Sequence, residues 1–307
     1  MTFEKYSRRK FLKENSLTAM GTVLGSGLVL PAMASPSSDV RAQSTENEKR
    51  LHIKPRYHRW DVDPGVEWLE TNTHAAYLDW KIPLAQSALV LVDVWQQHYL
   101  KDTEARTEDI INRKLYPFVA KCREEGLQVI HAPARRVAVR SPNWVKLTPP
   151  VDYYFKADSW PPADFIERKG AFASFDKPFE PRGDERKAIA ASMDFHPKVR
   201  PVGAEAVVCS GEELHQYCKK KGIVFLLYAG FNTNGCILSR TYGTVNMGLR
   251  GYGIVLVRDC TTGMETKESQ PEMRQTNGAI LLLETWGHFT VTSDEVAQGF
   301  IPSTSKT

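Results

Sequence analysis

The sequence predicts an α/β protein in three layers, a doubly wound parallel sheet with helices on both faces. Two observations predict it. Runs such as Ala88-Leu89-Val90-Leu91-Val92 and Ile223-Val224-Phe225-Leu226-Leu227-Tyr228-Ala229 are apolar at every position, as strands are when both faces of a parallel sheet are covered. Stretches with apolar residues at helical spacing lie between such runs, and alternating strands and helices imply parallel pairing through right-handed crossovers.

The elements follow in chain order. Residues 1–34 read as a twin-arginine export signal: Ser7-Arg8-Arg9-Lys10-Phe11-Leu12-Lys13, a mildly apolar segment at 16–30, then Ala32-Met33-Ala34 as a small-residue cleavage pattern. The apolar segment is too short and glycine-rich to span a bilayer comfortably, so a cleaved signal is favoured over an anchor and the mature chain is expected in the periplasm or outside the cell. Residues 35–49 are polar and aperiodic, as linkers are. Residues 51–82 carry Tyr57, Trp60, Trp68, Tyr77 and Trp80 without a clear period, so 35–85 is read as linker plus an N-terminal extension packed on the main domain or on a neighbouring subunit.

The main domain is expected over 86–307. Its first strand is 86–92; a helix over 107–125 stops at Gly126, and a second strand covers 127–131. Residues 134–203 form a long insert rich in proline and aromatic residues, of the kind that serves as a lid or interface arm. A short third strand at 204–208 and a helix at 212–221 precede the fourth strand, 223–229. Lys219-Lys220-Lys221 ends that helix, where cations complement the dipole.

Composition excludes some functions. The chain nets +4, but residues 1–34 hold five Lys/Arg and two Asp/Glu. The remainder has 35 basic and 34 acidic residues, which gives no electrostatic support for nucleic-acid binding. The eight histidines lack metal-ligand spacing, so no metal and no cofactor are expected. Gly248-Leu249-Arg250-Gly251-Tyr252-Gly253 ends a helix instead of following a strand, which rules out a dinucleotide fingerprint. Of five cysteines, Cys122, Cys209, Cys218 and Cys260 fall on separate elements, and free, partly buried thiols are expected.

The stretch with most chemistry is Gly230-Phe231-Asn232-Thr233-Asn234-Gly235-Cys236. A buried strand runs into a polar turn and delivers Cys236 to the start of a helix expected over 237–249. Helix-start amides and the macrodipole favour thiolate there and can cradle an oxyanion. A buried structural cysteine is the commoner fate of a lone thiol; the polar, glycine-flanked turn favours a nucleophile.

This turn resembles the nucleophile turn of the isochorismatase-like cysteine hydrolases, the superfamily of nicotinamidases, carbamoylases and isochorismatases. Ala88-Leu89-Val90-Leu91-Val92-Asp93 is similar to that family's first strand with its catalytic aspartate. Gly253-Ile254-Val255-Leu256-Val257-Arg258-Asp259-Cys260 is similar to the strand after the nucleophile helix, and Phe289-Thr290-Val291-Thr292-Ser293-Asp294-Glu295-Val296 to the closing one. The resemblance implies strand order 3-2-1-4-5-6, with Asp93 and Cys236 at the switch point where doubly wound sheets bind ligands. It implies Asp93 as general base, the Asn232 and Cys236 amides as oxyanion hole, and a cis peptide at Phe231–Asn232. It also implies a lysine after the third strand, yet Ala206-Val207-Val208-Cys209-Ser210-Gly211-Glu212-Glu213-Leu214 contains none. A cation is therefore expected from the insert, Arg135 first and Lys198 second, with Arg136, Lys169 and Lys177 also available.

His98 falls where the family places a pocket aromatic. With Trp95 it suggests a pocket that stacks a flat group or accepts a polar one, and a packed, hydrogen-bonded histidine fits the position equally. The resulting expectation is an exported homo-oligomeric cysteine hydrolase acting on a small-molecule amide or carbamoyl substrate. The rivals are a non-catalytic binding relative, which the absent lysine favours, and a hydrolase of an isochorismate-like vinyl ether.

Overall fold

The computed structural model describes residues 48–147, 160–177 and 180–301. The export signal, the linker up to residue 47 and parts of the insert (148–159 and 178–179) lie outside the described residues. No described helix is long and apolar enough to cross a membrane.

Strands β1 (Arg50–Ile53), β2 (Arg56–Arg59), β3 (His74–Tyr77) and β4 (Trp80–Pro83) come from the N-terminal extension. The main domain supplies β5 (Ser87–Val92), β6 (Gln128–Ala132), β7 (Ala206–Val207), β8 (Phe225–Phe231), β9 (Gly253–Thr262), β10 (Phe289–Val291) and β11 (Phe300–Ile301). Six of these pair in parallel as β7-β6-β5-β8-β9-β10, which is the order 3-2-1-4-5-6. Every residue of β5 is buried. Leu89 and Leu91 join Leu227 and Ala229 in one core, while Ala88, Val90 and Val92 join Leu226 and Tyr228 in the other. That alternation is why the run had to be apolar throughout.

The extension does more than pack on the domain. β2 and β3 continue the sheet antiparallel beyond β10, and β4 and β11 flank β1 in a separate three-stranded sheet. Trp80 meets Phe289 and Phe225 edge-on at 4.5 and 5.9 Å, and Arg56 bonds the buried Glu284 at 2.8 Å.

Two helices differ from expectation. The first begins at Lys101 instead of 107 and carries a π turn, Ile111–Leu115, before Tyr116–Glu125 and its left-handed cap Gly126. Its first turn is polar and gave no apolar period, though Asp102 and Glu104 suit a helix start. The helix expected over 237–249 is broken. A π turn, Thr233–Ile237, leads to an irregular bend at 240–243, and Thr244–Leu249 follows as a separate helix. Gly243 makes the bend possible, because a Cβ there would stand 2.7–2.9 Å from the carbonyl oxygens of Ile237, Leu238 and Arg240.

Candidate active site

The site lies where β5 and β8 run side by side and their connections diverge. Val92 pairs with Gly230, and the two backbones are so close that a Cβ on Gly230 would meet the Val92 carbonyl oxygen at 2.1 Å. Gly230 has φ +110°, so glycine is required for space and for conformation alike. Asp93 follows with φ +44°, a left-handed conformation that aspartate tolerates better than most residues. Its Oδ1 accepts the Ala134 N–H at 2.6 Å. On the neighbouring strand the Phe231–Asn232 peptide is cis, and the π turn brings Cys236 within hydrogen-bonding reach of the Asp93 carboxyl.

Burial pushes the Asp93 carboxyl above its usual range, against the opposing hydrogen bond to Cys236 and the charge of Arg240. Burial, then the Asp93 charge, push the Cys236 thiol up to about 11, with Arg240 again opposing. Two acids in one site share their protons as a pair. Above the Asp93 titration and below about 11 the resting pair is carboxylate and thiol. Against the expectation that helix-start amides favour thiolate, burial and the neighbouring Asp93 charge raise the Cys236 titration. Burial raises the other four thiols as well, Cys209 and Cys218 to about 12 and Cys122 and Cys260 well above the usual thiol range. All five are free.

The two insert cations expected first lie elsewhere, while Arg136, also named, acts on Asp93. Arg135 lies over the Trp144 ring at 6.0 Å, and Lys198 reaches Asn112. The positive charges acting on Asp93 are those of Arg240 and, after the Ala134 amide, Arg136. Arg240 sits at the helix break, one turn past Cys236, with its backbone N–H on the Cys236 carbonyl at 3.3 Å. Arg240 is an exposed residue, and its charge acts on both the Cys236 thiol and the Asp93 carboxyl. The cation was sought in the insert or an adjacent loop and Arg240 was not named; its i+4 relation to Cys236 was the available signal.

His98 is buried, stacked on Trp95 at 4.9 Å and on Tyr99 at 4.3 Å, with its Nδ1 accepting the Leu100 N–H. Of its two readings, the packed histidine describes this geometry. Trp95 does reach the site. With Asp93, Pro133, Arg136, Met193 and Phe195 it bounds a space of about 10 Å³, about the room one water occupies. That space is small because the end of the insert lies across β5. Phe195 bridges to Trp95, the His196 N–H bonds the Val94 carbonyl at 2.9 Å, and Arg136 reaches the Met193 sulfur at 3.2 Å. Val137, Asp194 and Phe195 also line a wider cleft of about 380 Å³ bordered by Arg140 and Arg200. Asn232 Oδ1 is buried with no hydrogen-bond partner in the protein. Among the described residues no cluster of His, Cys, Asp or Glu could hold a metal.

The sequence profile of the isochorismatase domain matches residues 87–285, and the chain belongs to that family. It has the family's α/β fold, a mostly parallel central sheet flanked by helices, and members of the family are hydrolases. Among solved structures it is similar to a cysteine hydrolase from Pseudomonas syringae pv. phaseolicola, with 13% identity over 71% of this chain and 94% of that one and a TM-score of 0.46. It is also similar to an isochorismatase from Pseudomonas putida, with 15% identity over 69% and 91% and a TM-score of 0.42. A nicotinamidase from Staphylococcus aureus shares 11% identity over 67% and 99%, with a TM-score of 0.35. No curated protein matches the sequence.

Proposed function

We propose that this protein hydrolyses a small amide or carbamoyl C–N bond through a covalent intermediate on Cys236. The observation that carries the reading is the Asp93–Cys236 pair: a buried carboxyl at the end of β5 within reach of the thiol that follows the neighbouring strand β8. Asp93 takes the thiol proton as sulfur attacks the acyl carbon, and gives it to the departing nitrogen as the C–N bond breaks. Water then adds to the thioester, its proton passing to Asp93 and back to the sulfur. The amides of Asn232 and Cys236 are the proposed donors to the oxyanion.

The test is a screen of the full chain against small primary amides, N-carbamoyl compounds and a vinyl ether, with Cys236→Ala in parallel. Turnover of an amide or carbamoyl compound, lost in Cys236→Ala, is the expected result. Vinyl ether hydrolysis that survives Cys236→Ala would replace this reading.

A further inference from the structure

We propose that strand β3, the open edge of the large sheet, is where two copies of this chain join, β3 against β3 across a two-fold axis. The inference concerns assembly and does not rest on the reaction proposed above. Among the described strands β3 ends the eight-stranded sheet on its side, and His74, Ala75 and Tyr77 are exposed. An unpaired edge is a template for another strand, and chains that stay single blunt it with lysine, proline, a bulge or a covering segment. His74-Ala75-Ala76-Tyr77 contains neither lysine nor proline, and its register against β2 runs without a shift. The opposite edge is covered. Beyond β7 the Val145 N–H bonds the Val207 carbonyl at 2.8 Å, and the Val207 N–H bonds the Asn143 carbonyl at 3.0 Å. With one edge open, sheet pairing between identical chains joins like edge to like edge and closes at two copies.

The backbone fixes the register of that pairing. The Leu78 N–H bonds the Pro55 carbonyl at 3.1 Å, and bonded and non-bonded positions alternate along an antiparallel pair. Tyr77 stands opposite Arg56, Ala76 opposite Tyr57 and Ala75 opposite His58. Ala76 therefore turns its peptide groups towards β2, while Ala75 and Tyr77 turn theirs to the open side. A second β3 satisfies them all when Ala75 lies opposite Tyr77 of the second copy, and the reverse. Four hydrogen bonds form, and Ala76 meets Ala76 of the second copy on the axis. That is the closer, non-hydrogen-bonded kind of pair, with Cα atoms about 4.5 Å apart, and alanine methyls fit it.

The side chains around the edge agree with a like partner. Ala75 and Tyr77 share a face of the sheet with His58 and Arg56, their opposite numbers on β2. Trp60 lies against His58 with ring centroids 4.7 Å apart, and its Nε1–H donates to the Thr285 carbonyl at 3.1 Å, next to Trp286. Tyr77, Trp60 and Trp286 are each more than half exposed. In the pairing the Tyr77 ring lies over Ala75 of the second copy, towards that copy's His58 and Trp60, so aromatic surface leaves water on both sides of the axis. The charges of β2 are already balanced within the chain. Arg56 pairs with Glu284 at 2.8 Å and Arg59 with Asp63 at 2.7 Å, so two copies of these cations do not repel each other across the axis.

Sedimentation velocity of the full chain from about 1 to 100 µM should show a dimer that gains on the monomer as concentration rises. Ala75→Pro removes an outward N–H and leaves the bonds between β2 and β3 in place, and Tyr77→Lys puts a charge on the edge. Each should weaken the dimer at least about tenfold, with the circular dichroism of the wild type. The register has its own readout. Ala76→Cys under mild oxidation should link two copies through residue 76, because the paired Cα atoms fall within disulfide range, and peptide mass spectrometry identifies the bond. His74→Cys, opposite Leu78 of the second copy, should not link to itself. A chain monomeric throughout that range would leave the edge to another partner or to its own N-terminal residues, and would overturn the proposal. So would a dimer indifferent to both edge variants, or one that His74→Cys links as readily as Ala76→Cys.

Discussion

At the residue scale the site is a contest between burial and charge. Asp93 and Cys236 were legible from their places at the end of a strand and after a polar turn. Their protonation was not, because it depends on what covers them. Asp93→Asn tests the balance. Asparagine keeps the acceptor for the Ala134 N–H and tolerates φ +44°, but cannot take a proton. Turnover should be lost, and the Cys236 alkylation midpoint should fall because an anion beside the sulfur is gone. Burial raises the folded-state titration of Asp93 above its unfolded value of 3.8. Stability conferred by the neutral acid is thus present below 3.8 and lost as pH rises through the raised value. Asp93→Asn escapes that loss, so its Tm at pH 8 should equal or exceed wild type's. A Tm several degrees lower would show the carboxylate to be a structural anchor.

At the element scale the buried strands could be read and the irregular backbone could not. β5 and β8 announce themselves because both faces are covered. The strands of the extension did not, since four-residue segments with mixed burial carry no period. The helix break escaped notice because Tyr242 and Gly243 continue an acceptable helical pattern. Only the three crowded carbonyls show why the chain must turn. The link between the first long helix and the sheet edge was equally invisible. Arg123 donates twice to Glu205 at 2.7 and 2.9 Å, and His131 Nε2 lies 2.9 Å from the same carboxylate. Burial opposes ionisation of Glu205, but the hydrogen bonds from His131 and Arg123 outweigh it and pull its titration down to about 2, from 4.5 unfolded. The resulting stability, roughly 3 kcal/mol, is present above pH 4.5 and lost as pH falls to about 2. By denaturant unfolding, Glu205→Gln should be less stable than wild type at pH 7, and the gap should close between pH 4.5 and 2. A gap that stays constant over that range would assign the loss to packing alone.

At the scale of the whole molecule, the six-strand order, which sets the ends of β5 and β8 side by side, followed from alternation and resemblance. The extension's role in widening the sheet, and the insert's path across Trp95, did not. Both are long-range contacts between segments that carry no local pattern. The end of the insert bounds the space of about 10 Å³ beside Asp93, and Val137, Asp194 and Phe195 line both that space and the wider cleft.

Under the proposed reaction the sulfur of Cys236 becomes covalently bonded to the substrate, and trapping that species is the decisive experiment. The full chain is mixed with the amide or carbamoyl compound it turns over, quenched in acid within one turnover, and its Cys236 peptide weighed. The expected result is a mass increase equal to the acyl group on Cys236, absent from Cys236→Ala, and accumulating if the water step is slowed. Quenched protein without any adduct, together with turnover that persists in Cys236→Ala, would contradict it.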